Sequence, residues 1–126
     1  MNSLRFACLV AAVGVATAFS ATPASAQACR IGGKWELTQG NRFVVKLDIV
    51  QIGRHLYGSG SYGRTSGTLH DGHIVGRDVS FRMEWPSGSG QYTGRIDPTG
   101  TMSGTTKDVA RPFSQATWYA NRRFAC

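Results

Sequence analysis

The chain has 126 residues and a net charge of +7, with 14 Lys and Arg against 7 Asp and Glu. That length holds one domain and no more. The basic residues are scattered, with only Arg122 and Arg123 adjacent, which speaks against the concentrated basic stripe and interleaved aromatics of a nucleic-acid binder.

Residues 1–26 read as a secretory signal peptide. Arg5 gives a short basic head, "FACLVAAVGVATAF" an apolar middle, and "ATPASA" an Ala-x-Ala exit at Ala24 and Ala26. The stretch is too short and wrongly flanked for a membrane span, and cleavage is expected before Gln27. The mature domain then covers residues 27–126, is periplasmic or secreted, and holds no transmembrane segment. Cys8 leaves with the leader. In an oxidising compartment the two remaining cysteines, Cys29 and Cys126, are expected to form one disulfide tying the ends of the domain together.

Along the mature chain, alternation at two residues recurs while helical spacing is almost absent. "KWEL" places Trp35 and Leu37 on one face. "FVVKLDI" places Phe43, Val45, Leu47 and Ile49 against Lys46 and Asp48, and "VSFRMEW" sets Val79, Phe81, Met83 and Trp85 against Ser80, Arg82 and Glu84. One apolar and one polar face per strand is the pattern of antiparallel sheet.

Turn residues break these runs at regular intervals. "SGTLHDGHIVG" (66–76) and "TGRIDPTGTMSG" (93–104) share a phrase of glycine, aliphatic, polar turn, aliphatic and glycine. Both are expected to be hairpins, the first turning at Asp71-Gly72 and the second at Asp97–Gly100. "KDVARPFSQ" (107–115) reads as the one long connection, with room for a short turn of helix. The whole is an all-β meander of eight or nine strands. It closes most simply into an up-and-down barrel whose first and last strands meet at the disulfide; a two-sheet sandwich satisfies the same alternation.

The chemistry-bearing residues are few. His70 and His73 flank the expected Asp71-Gly72 turn and would face each other across it, a pair that solvent alone explains as well as a metal does. His55 stands singly. The acids are dispersed, and neither a serine elbow nor a phosphate loop is present, so the chain is expected to be neither an enzyme nor cofactor-dependent. The aromatics Trp35, Trp85 and Trp118, with Tyr62 and Tyr92, are candidates to line a barrel mouth that takes a small apolar or aromatic ligand.

The order "GGKWEL", Gly-rich strands, "VSFRMEW", "GQYTGRIDPTG" and "ATWYANRRF" resembles the avidin and streptavidin group within the wider lipocalin-like (calycin) set of ligand-binding barrels. The resemblance implies an eight-stranded barrel with a pocket at its mouth, in which Trp85 and Trp118 match pocket tryptophans. Where that group offers an asparagine to the ureido oxygen of biotin this chain has Leu37, so the resemblance implies a pocket but not that ligand. Small exported protease inhibitors share a similar barrel with one disulfide. A protein-interaction module of the cell envelope is therefore the alternative function.

Overall fold

The computed structural model describes residues 28–126; the signal peptide expected over 1–26 lies outside the described residues. Eight strands follow in chain order: β1 Gly33–Gln39, β2 Val44–Ile52, β3 His55–Tyr62, β4 Thr65–Val75, β5 Asp78–Trp85, β6 Gly88–Ile96, β7 Thr101–Asp108 and β8 Gln115–Arg123. Each pairs antiparallel with its neighbour, and β1 pairs with β8, so the sheet is a closed meander barrel. The sandwich alternative is thereby overturned. Among the described residues no helix is long and apolar enough to cross a membrane.

Alternation explains the core. Leu37, Val45, Leu47, Ile49, Val79, Phe81 and Met83 all point inward and are buried, at the positions the two-residue period assigns. Closure pairs β1 with β8 over Leu37–Gln39 and encloses the apolar face, which is the energetic reason a meander of this pattern forms a barrel.

Three hairpins share one turn. Gly53-Arg54, Gly63-Arg64 and Gly76-Arg77 each join two paired strands with two residues, and each glycine has φ near +60°. A side chain is disfavoured at that φ, so glycine leads the turn. The Asp97 turn is built differently. One Asp97 carboxylate oxygen accepts from the Thr99 amide (2.8 Å), the Thr99 hydroxyl (2.6 Å) and the Thr101 amide (3.1 Å). These bonds, that of the Thr99 hydroxyl foremost, hold the carboxyl below its usual range.

Asp71-Gly72 is not a turn. β4 runs through it, and the register slips by one residue there against both β3 and β5, which defines a β-bulge. The reason lies in the core: Leu69 and Ile74 are both buried, yet their spacing is odd, so an extra residue must reset the alternation. Asp71 takes a positive φ of 51° to supply it. Gly72 then faces inward, where a β-carbon would come within 2.6 Å of Leu69 and 2.7 Å of the Leu56 carbonyl. The two repeated phrases are thus one bulge and one hairpin.

In the β7–β8 connection, residues 109–114 form bends and turns without helix. The Asp108 side chain accepts from the amides of Ala110 and Arg111 and satisfies the backbone locally.

Candidate functional site

The two ends of the barrel differ. At one end residues 28–32, residues 124–126 and the β2–β3, β4–β5 and β6–β7 turns meet over a buried plug of Cys29, Ile31 and Phe124. The Cys29–Cys126 disulfide lies here. Gln51 fastens the plug from β2, accepting from the Ile31 amide (2.7 Å) and donating to the Cys29 carbonyl (2.9 Å). Trp35 belongs to this sealed end. Its indole N–H donates to the Ile31 carbonyl (2.9 Å), and its ring meets Phe124 edge-on at 5.0 Å.

At the other end, the connections 40–43, 63–64, 86–87 and 109–114 surround an open cavity of about 240 Å³. Its wall is an aromatic ladder in which Phe43 meets Tyr62 edge-on at 5.7 Å and Tyr62 meets Trp85 edge-on at 4.8 Å. Trp85 lies half-buried over Gly67 of β4, where a β-carbon would come within 2.8 Å of its ring. The floor is Tyr92, stacked on Phe81 with centroids 5.1 Å apart. Its hydroxyl donates to the Gln39 side-chain oxygen at 2.6 Å. Thr106, beside it, is buried. The cavity is therefore aromatic on one side and polar on the other, where Asn41, Ser89, Lys107, Asp108 and Gln115 line it, with the neutral hydrogen-bonding groups of Tyr92, Gln39 and Thr106 at depth.

The structure thus brings Trp85, Tyr62 and Tyr92 together at the mouth and places Trp35 at the opposite end. Trp118 lies between, buried in mid-barrel, donating its indole N–H to the Thr105 carbonyl (3.0 Å) and tilted against Tyr92 at 6.3 Å. Gln39, Phe43 and Thr106 also line the cavity and are not among the site residues expected from sequence. Strand parity identifies them: in a meander every odd strand ends where β1 ends, so Gln39, Tyr62, Trp85 and the last residues of β7 converge on one mouth.

Burial pushes the Tyr92 phenol up to about 12 from 10.0, against a smaller lowering by the Thr106 hydroxyl. The phenol stays a neutral donor at physiological pH. Because the folded state holds this proton more tightly than the unfolded chain, its contribution is complete below pH 10 and lost as pH rises toward 12. Stability is expected to fall across that interval, measured by denaturant melts at graded alkaline pH. A Tyr92→Phe variant is expected to lack that part of the fall.

The histidines do not form the pair expected across a turn. His73 stands opposite His55 of β3, and His70 is opposite Arg82 of β5. His70 Nε2 lies 2.9 Å from the Thr68 hydroxyl and 3.4 Å from Glu84, while Arg82 bridges Asp71 (2.6 Å) and Glu84 (2.8 Å) on the same exposed wall. Among the described residues no group of three or more His, Cys, Asp or Glu is placed to hold a metal ion.

A second hollow, of about 440 Å³, is lined by residues of β1 to β4, among them Trp35 and Leu47. Opposite charges face each other across it, Lys34 with Asp48 and Glu36 with Lys46. Trp35 is the one aromatic residue in its lining, so it lacks the aromatic wall of the mouth. Comparison with protein-family profiles, with curated proteins and with solved structures finds no match.

Proposed function

We propose that this chain is an exported barrel that binds a small apolar or aromatic molecule in its mouth. What carries the reading is the asymmetry of the two ends: one is plugged and cross-linked, the other holds a cavity walled by Phe43, Tyr62 and Trp85. Aromatic walls give a planar ligand large contact area in edge and stacked geometries. The neutral donors and acceptors at depth, Tyr92, Gln39 and Thr106, would orient one polar atom of it. The avidin-like and lipocalin-like strand order fits the same reading, with a ligand other than biotin. The role assigned is binding, with no catalytic step and no cofactor, in the periplasm or outside the cell.

Trp85 is the built-in reporter, because Trp35 and Trp118 are buried away from the mouth. Titration with the neutral probe N-phenyl-1-naphthylamine is expected to quench or blue-shift tryptophan emission. In a Trp85→Phe variant that response is expected to disappear, and Trp85→Ala should weaken binding by roughly ten-fold. Emission unchanged across a broad panel of apolar and aromatic compounds would exclude the proposal.

A second reading, an envelope protein-interaction module such as an inhibitor-like barrel, draws on the exposed Val50, Ile52, Tyr57 and Val75 on the outer wall of β2–β4. It gains if the panel is silent and a protein partner protects those residues from solvent.

A further inference from the structure

The rim of the mouth differs in character from its wall. Of the connections that form it, three carry an arginine: Arg42 between β1 and β2, Arg64 between β3 and β4, and Arg111 between β7 and β8. Lys107 stands beside them at the end of β7. All are exposed, and none makes an ion pair among the described residues, where the ion pairs involve β4, β5 and β6. The nearest acid in the rim, Asp108, commits one carboxylate oxygen to the amides of Ala110 and Arg111.

Among these cations stand apolar side chains in water. Phe113, on the long connection, is 86% exposed, and Phe43 is 52% exposed at the lip of the cavity, with Val109 and Val44 also exposed. The sealed end also carries exposed arginines and exposes Ile52 and Val75 beside its turns, but it differs in two respects. Its turns, 53–54, 76–77 and 97–100, carry no aromatic residue, and the Arg77 guanidinium is tied down by the carbonyls of Ile96 (3.2 Å) and Asp97 (2.8 Å).

Unpaired cations alternating with protruding apolar tips match an interface between water and lipid. The cations are drawn to anionic headgroups, and the tips are removed from water at the acyl boundary. We propose that the mouth rim docks on an anionic lipid surface, with Phe113 inserted at the headgroup level and Arg42, Arg64 and Arg111 against lipid phosphates. The cavity then opens toward the bilayer, where apolar molecules are concentrated. The proposal is independent of the ligand reading, since docking requires no occupant in the cavity.

Co-sedimentation with vesicles tests it, using phosphatidylcholine alone and phosphatidylcholine mixed with phosphatidylglycerol, each at low and high salt. Binding is expected to the mixed vesicles and to fall with salt. The triple variant Arg42→Asn, Arg64→Gln, Arg111→Gln should reduce it by about 100-fold, at roughly a factor of several per charge. Phe113→Ser should weaken it while leaving its salt dependence intact. A control triple at the sealed end, Arg54→Gln, Arg122→Gln, Arg123→Gln, should keep most of the binding. Unchanged thermal midpoints establish that each variant is folded. Absence of binding to anionic vesicles, equal binding to neutral ones, or an equal loss in the control triple would overturn the proposal.

Discussion

Replacing both cysteines, Cys29→Ser and Cys126→Ser, is expected to lower the stability of the barrel by about 4 to 5 kcal/mol. The two residues are 97 apart in sequence, so the cross-link restricts nearly the whole unfolded chain. The folded state makes the same bond strategic. β1 and β8 pair only over Leu37–Gln39 against Trp118–Ala120, whereas β5 and β6 pair along their full length. Toward the sealed end the seam is carried by one bridge between Arg30 and Ala125 and by the disulfide. Denaturant midpoints of oxidised, reduced and substituted protein measure the loss. Hydrogen exchange is expected to show amides at the start of β1 and the end of β8 losing protection first. Equal midpoints with and without reductant would contradict this account, as would free thiols at Cys29 and Cys126 in the purified protein.

Phe81→Ala is expected to cost about 3 to 5 kcal/mol, the range for emptying a buried aromatic site. Phe81 is fully buried at the centre of the core, and its ring is stacked on Tyr92 at an interplanar angle of 7°. The substitution therefore also unseats the floor of the mouth. Urea melts should report the loss of stability, and titration of the same variant with the naphthylamine probe should report weaker binding. Phe81→Leu keeps much of the volume but no ring face, and is expected to fall between the two. If Phe81→Ala left probe affinity at the wild-type value, Tyr92 would not depend on the stack for its position.

Much of this architecture is written in the chain at the level of parity. "VSFRMEW" predicts its own inward and outward faces because alternation is a local property, and the buried Val79, Phe81 and Met83 follow it. Sequence leaves the count at eight or nine strands, and only an even count, the eight of the structure, brings Cys29 and Cys126 to one end. Asp71-Gly72 misleads because its residue types suit a tight turn, while the decisive fact is that Leu69 and Ile74 must share one interior. That conflict is tertiary and cannot be weighed from turn chemistry alone. The repeated Gly-Arg pairs at 53, 63 and 76 are the true hairpin signal.

The candidate site was legible in part. Aromatic content marked Trp85, Tyr62 and Tyr92, but inwardness says nothing about height along the barrel axis, and Trp35 and Trp118 are as inward as Trp85. Height follows from position within a strand together with strand direction. Trp85 closes β5, whereas Trp35 stands near the beginning of β1. Gln39 and Thr106 carry no aromatic flag, and only convergence of strand ends selects them.

The meeting of first and last strands has a consequence for how the polypeptide matures. A cylinder has no stable half: any nascent segment that stops before β8 leaves two raw hydrogen-bonding margins, each a template for sticking to another chain. The decisive contacts are also the most distant in sequence, which makes their formation late and slow. Such a polypeptide is expected to stay slack until β8 is in place and then to snap into shape in a single cooperative event.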